Sequence, residues 1–184
     1  MTTTNVNETV HGSNVAKDHD AKVRPGYTPV PAAAQRMRLG QLAPDFHQAM
    51  VALDAAAAKG LDPAVSELIR LRASQVNGCA FCVDMHGHDA RALGIPEQKV
   101  LAVTAWRETP FFTGRERAAL ALTEAVTRLG EHGVPDDVYD EAAHVFGEDE
   151  LARVVAMAVT INAWNRIGVA TRMSPAVRHD HRGV

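Results

Sequence analysis

Apolar positions recur along most of this chain at helical spacing, and proline, glycine and capping residues cut the pattern into segments. Ala43-Pro44-Asp45 opens a segment that runs to about Lys59, where Gly60 stops it. Phe46, Met50, Val51, Leu53 and the alanines fit one packed face there. Asp62-Pro63 starts the next segment: Asp can cap, and the missing N–H of proline costs nothing at the first helical position. Val65, Leu68, Ile69 and Val76 follow near helical spacing, up to the strong breaker Asn77-Gly78. From Cys79 the pattern is helical again, as far as Leu93-Gly94, where glycine suits a left-handed cap.

Ile95-Pro96-Glu97 starts another helix, with Val100, Leu101, Val103 and Trp106 as its core residues. Thr109-Pro110-Phe111-Phe112 is a loop whose aromatics suit a pocket or an interface. Thr113-Gly-Arg-Glu116 has the form of a capping box, and the helix behind it continues to Leu129-Gly130. Asp136 to Phe146 is a helix closed by Gly147. Glu148-Asp-Glu150 places acids at the start of the last long helix, where the dipole favours them. Its body, Leu151 to Thr171, is apolar on most sides, as expected of a helix buried in the core or between subunits. The pattern predicts an all-α fold of six to eight helices with Leu151–Thr171 at the centre.

Residues 1–25 are polar and lack periodicity, which predicts a flexible tail or an arm that orders on binding. Tyr27 to Pro31 reads as an extended lead-in and Ala32 to Leu39 as a short helix. The helical domain then spans 26–175, and 176–184 is a second polar tail, with His179 and His181 in it.

Composition supports one domain in 184 residues: 46% are hydrophobic, and only 5% are aromatic, which suits closely packed alanine-rich helices. The net charge of −3 comes from mixed signs with no basic stripe, so nucleic acid is not an expected partner. No apolar run approaches the ~18 residues of a membrane span. Met1-Thr-Thr-Thr-Asn lacks the charged start and apolar core of a signal peptide, and a cytoplasmic location is expected.

The chemistry is concentrated in one stretch, Glu67 to His86. It holds both cysteines of the chain, Cys79 and Cys82. At roughly 100° per residue, Cys79, Cys82 and His86 share one narrow helical face, whereas His88 falls on the opposite side. Glu67 can join them only if the chain turns at Asn77-Gly78 and the two helices pack together. Cysteines one turn apart can approach the disulfide range of about 4.4–6.8 Å between Cα atoms. Unpaired N–H groups at a helix start favour the thiolate, the reactive form. His86 can carry a proton and Glu67 can orient the imidazole. A structural zinc site needs four ligands, and no second pair is present. A purely structural disulfide this short adds little stability, and a lone cysteine pair fits the cytosol better than a secreted protein. Trp106 reads as packing, His47 as a surface residue and His144 as structural. Arg166 reads as a partner for a neighbouring subunit or for a carboxylate such as Glu67.

Glu67, Cys79-Ala-Phe-Cys82 and His86 together resemble the core motif of the AhpD-like alkylhydroperoxidases, a branch of the carboxymuconolactone decarboxylase superfamily. The resemblance covers roughly Arg38 to Pro175 and includes Ile161-Asn-Ala-Trp-Asn-Arg-Ile-Gly-Val-Ala-Thr-Arg172, which is similar to the family's closing helix. It implies an all-helical, single-domain bundle that assembles as a trimer or hexamer. It also implies a thiol-dependent hydroperoxide reductase. Cys79 and Cys82 would be its redox-active pair and Glu67 and His86 its proton relay. Its partners would be a small hydroperoxide and an external dithiol donor, and it would need no cofactor beyond the Cys79–Cys82 disulfide. The best-known peroxidases of the branch carry a histidine directly before the second cysteine; Phe81 stands there here, which removes that base. The branch that names the superfamily lacks the cysteine pair, so its presence argues against a lactone decarboxylase. Two other classes fit the same residues: a thiol–disulfide exchange partner of a separate peroxidase, and a non-redox decarboxylase or lyase using His86 and Glu67. Which cysteine attacks first stays open at this level.

Overall fold

In a computed structural model of the chain, residues 30, 31 and 33–176 are described. The tail expected over 1–25 lies outside them, as does that over 176–184 from residue 177 onward, including His179 and His181. Among the described residues eight α-helices follow one another: α1 Leu39–Leu42, α2 Pro44–Ala58, α3 Pro63–Asn77, α4 Ala80–Ala92, α5 Glu97–Ala102, α6 Gly114–Thr127, α7 Asp136–Val145 and α8 Glu148–Thr171. A 3-10 helix, Val103–Glu108, extends α5. Among the described residues there is no strand, only an isolated bridge between Gly130 and Gly133. All these elements belong to one compact unit, Ala32–Ala176. No helix of the described residues is long and apolar enough to cross a membrane.

The local signals act as their chemistry requires. Asp62 accepts from the N–H groups of Ala64 and Val65 and caps α3, with Pro63 in the first turn. Thr113 and Glu116 form both halves of a capping box on α6.

Helix α3 is the hub: it packs against α4, α6 and α8, while α2 lies on α8 and α7 on α6. Its apolar side chains divide between two clusters. Val65, Ile69 and Ala73 join Leu122, Phe146, Val154, Met157 and Ile161 in one. Leu68 and Leu71 join Ile95, Val103, Trp106, Phe112 and Leu120 in the other. Between the clusters, Glu124 ties three elements. Its carboxylate accepts from Arg72 Nε at 2.6 Å, from Trp106 Nε1 at 3.0 Å and from Arg107 Nη1 at 2.5 Å. Burial by itself would raise the Glu124 pKa. The bonds from Arg107, Trp106 and Arg72 outweigh it and hold the carboxyl below its ordinary 4.5. A folded value below the unfolded one means that this pairing stabilises the fold fully above pH ~4.5 and loses that contribution as pH falls through the lower value. Glu124→Gln is therefore expected to cost roughly 3 kcal/mol at neutral pH, by leaving Arg72 buried without its charge partner. The deficit should shrink on acidification; denaturant titrations at pH 7 and at the acid limit of folding check both statements.

Three expectations need correction. No helix forms over 33–38, and the first one begins at Leu39. Arg36 instead spends its N–H on Thr171 O at 2.9 Å and its guanidinium on Ala170 O, so the segment is pinned along the end of α8. On α2 only Met50 and Ala57 are buried; Phe46, Val51 and Leu53 are about half exposed, because α2 touches the body of the fold along one narrow edge. Leu101 is exposed while its neighbours Val100 and Val103 are buried, since α5 passes into a 3-10 helix there and shifts the inward face.

Candidate active site

Glu67, Arg70, Ser74 and Asn77 recur on α3 at intervals of three, four and three residues, which puts them on one side of the helix. This third face is polar: Glu67 reaches α4, Arg70 reaches α2 and α8, and Ser74 and Asn77 both reach α8. Asn77 Nδ2 donates to the side-chain oxygens of both Asn162 and Asn165 on α8, at 2.9 Å each. Asn165 Nδ2 in turn donates to Ser74 Oγ at 3.0 Å. No buried side-chain nitrogen or oxygen among the described residues lacks a partner, so this network fixes the end of α3 on α8 without an unpaired group.

The turn follows from that fixed end. Gly78 takes φ 67°, ψ 29°, a left-handed conformation that a side chain would strain. The Cys79 N–H then returns to Ser74 O at 3.0 Å, and Cys79, in extended conformation, becomes the N-cap of α4. The chain reverses and α4 packs back along α3. Cys79 and Cys82 form a disulfide with Cα atoms 5.4 Å apart. They are 2% and 3% exposed.

One turn further along α4, His86 is buried and its Nδ1 lies 2.9 Å from Glu67 Oε2. An ionised carboxylate only accepts, so the bond requires Nδ1–H and leaves Nε2 as the nitrogen that can take a proton from elsewhere. The other Glu67 oxygen accepts from Arg70 Nη1 at 3.1 Å. Arg70 also donates to Asp54 of α2 at 2.9 Å and to Met157 Sδ. The chain Asp54–Arg70–Glu67–His86 holds the imidazole in one orientation.

A cavity of about 510 Å³ opens beside Cys82 and His86. Val51, Phe81, Met85 and Trp164 supply its apolar wall, and Asp54, Arg70 and Asp89 its polar end. His47 stands edge-on to Trp164, centroids 5.7 Å apart, at the rim. Cys82 lines the cavity and Cys79 does not. Cys79 faces α8 instead: a Cβ at Gly168 would sit 2.9 Å from Cys79 Sγ and 3.6 Å from Cys82 Sγ. Gly168→Ala is therefore expected to destabilise the oxidised protein, because a clash of about 1–3 kcal/mol exceeds the ~1 kcal/mol that alanine gains inside a helix. In the dithiol form Cys79 can rotate away. Denaturant melts of both redox forms should show the deficit narrowing or reversing on reduction, and an equal deficit in both would contradict this account.

The four residues singled out from the sequence, Glu67, Cys79, Cys82 and His86, are thus brought together by the α3–α4 reversal, and His88 does not line the cavity. Arg166 does not reach Glu67; its Nη1 bonds Asn162 O and Oδ1, and Arg70 takes the carboxylate. Sequence reasoning missed Arg70, Asp54, Asp89 and Gly168. Arg70 stands three residues after Glu67 and Asp89 three after His86, a spacing that could have flagged both. A glycine inside the last helix signals close approach. Nothing in the sequence pointed to Asp54. Glu67, His86 and Asp89 also bring three possible metal-ligand atoms within 4.8 Å of one another, although the Arg70 guanidinium on Glu67 opposes a cation there.

An eight-helix unit with a buried Cys-x-x-Cys pair beside a Glu–His couple defines a class of thiol-bearing helical proteins. Residues 44–125 match the carboxymuconolactone decarboxylase family. The chain is 36% identical over 138 residues to the uncharacterized protein YdfG of Bacillus subtilis, covering 74% of this chain and 94% of that one. It is also similar to the crystal structure of a protein of unknown function from Agrobacterium tumefaciens, described as a candidate antioxidant defence protein AhpD. That match has 38% identity and a TM-score of 0.77, over 79% of this chain and 100% of the other. The debrominase Bmp8 shares the fold at 24% identity and a TM-score of 0.66, over 76% and 75% of the two chains. The chain belongs to the carboxymuconolactone decarboxylase family, in its AhpD-like branch.

Proposed function

We propose that this chain is a thiol-dependent hydroperoxide reductase in which Cys82 attacks, Cys79 resolves, and His86 with Glu67 moves the protons. The observation that carries it is the cavity in which Cys82 and His86 meet, with the Glu67 bond behind the imidazole. The Cys82 thiol gives its proton to His86. The sulfur attacks one peroxide oxygen; the S–O bond forms and the O–O bond breaks. The departing alkoxide takes the proton from His86 and leaves as an alcohol. The Cys79 sulfur then attacks the sulfenic acid; the S–S bond forms, the S–O bond breaks, and the departing hydroxide takes the proton of the Cys79 thiol to leave as water. An external dithiol restores both thiols. No other cofactor enters the cycle. Supporting the order of attack, Cys82 borders the cavity while Cys79 is packed on Gly168.

The test is a mass and thiol count on fully reduced protein before and after a small excess of an organic hydroperoxide. The expected result is rapid loss of both thiols and of two hydrogens. Survival of both thiols would overturn the assignment, and attention would pass to disulfide exchange and then to acid–base chemistry at His86.

The working form in this proposal is a homo-oligomer, a trimer or hexamer in the cytoplasm. Phe46 and Leu53 on α2 and Val159 and Val169 on α8, two helices that pack together, are each about half exposed and apolar. Sedimentation equilibrium returning the monomer mass would remove this part of the proposal.

A further inference from the structure

Cys79, Cys82, Glu67 and His86 are all at most 7% exposed. When a dithiol reduces the disulfide, its thiolate attacks one sulfur and its second thiolate then breaks the mixed disulfide. The donor ends as a disulfide, and two sulfur anions are left that need two protons from water. A buried site must bring those protons in. Two recesses flank it. The cavity beside Cys82 and His86 does not reach Glu67. A second recess of about 430 Å³, between α3 and the end of α4, reaches Glu67 but neither Cys82 nor His86. Two side chains border both: Arg70 and Asp89. Arg70 is committed to Glu67, Asp54 and Met157, and as a guanidinium it does not release protons. Asp89 is a carboxylate one turn beyond His86, with an oxygen within 4.8 Å of a Glu67 carboxylate oxygen and of a His86 ring nitrogen. One water spans such a separation with two ordinary hydrogen bonds.

We propose that Asp89 is a positioning residue that exchanges protons between the buried Glu67–His86 pair and solvent through the second recess, so that substrate and protons use separate entrances. The titratable and charged groups that share its recesses are Glu67 and Arg70 of α3, His86 of α4, and His47 and Asp54 of α2. The inference rests on the disulfide cycle proposed above, but its test needs no peroxide.

Oxidised full-length protein is mixed with dithiothreitol, and thiol release is followed by rapid alkylation and mass. Asp89→Asn, which keeps the shape of the side chain, is expected to slow reduction about tenfold and to enlarge the solvent deuterium effect, as for loss of a proton-transfer group. Formate, small enough for the second recess, should restore most of the rate to Asp89→Asn, and Asp89→Glu should stay near wild type. Leu93→Trp, at the mouth of that recess, should slow reduction in the same direction with Asp89 intact. Wild-type rates and isotope effects in Asp89→Asn would overturn the inference. So would a slow Asp89→Asn that neither formate nor glutamate rescues, since that marks a packing defect. The expected slowing and rescue here, beside an inert peroxide assay, would condemn the peroxidase assignment alone.

Discussion

Cys82→Ser is expected to lose peroxide-driven oxidation by at least about three orders of magnitude, about 4 kcal/mol of barrier. Cys79→Ser should still take up one oxygen atom and stop there. The difference comes from where the two sulfurs sit. Cys82 borders the cavity that also holds His86. Cys79 Sγ lies against the α8 backbone, so close that a Cβ at Gly168 would be 2.9 Å away. The thiolate is the nucleophile, and serine offers no comparable anion at neutral pH. Without Cys79 the sulfenic acid on Cys82 has no thiol to condense with and should be trapped by a dimedone-type reagent, seen as a mass increase. The mirror result, with Cys79→Ser inert and Cys82→Ser stalled, would reverse the order of attack while leaving the peroxidase assignment intact.

Glu67→Gln is expected to slow the same oxidation roughly 100-fold, within the range for a positioned proton carrier. The substitution keeps the volume and removes the charge to which His86 Nδ1 and Arg70 Nη1 are both bonded. A glutamine has one accepting oxygen, so one of the two donors then meets an amide N–H. Arg70 keeps its bond to Asp54, so the fold should hold. His86→Ala should cost about as much, and the double variant little more than either single one, because residues that act as a unit are not additive. Single-turnover oxidation rates of the three variants decide this. A double-variant loss equal to the product of the two single losses would mean that Glu67 and His86 serve the reaction independently.

Much of the helical framework was legible in the chain because its signals are local. Asp62-Pro63, the Thr113–Glu116 box, and the acids opening α8 act through backbone groups within one turn. The grouping of Cys82 with His86 was legible for the same reason, since residues four apart share a helical face, whereas Cys79 stands just before α4 as its extended N-cap. Burial of single apolar side chains was less so. Leu101 and Phe46 read as core, but which side of a short or peripheral helix faces inward depends on the neighbour it meets, and helical spacing does not name that neighbour.

By itself, then, the sequence marked most of the helices, the breaker at Asn77-Gly78, and the four side chains proposed to react. Only the tertiary structure decided how they stand to one another. The fold back at Gly78 carries Glu67 to His86, nineteen residues away in the chain. Packing of α2 brings Asp54 to Arg70, and the absence of a side chain at Gly168 lets the disulfide settle on α8. Such contacts join residues far apart in the chain, through distances that no local propensity encodes. They arise only when the helices bury their apolar faces together and each buried polar group finds its partner.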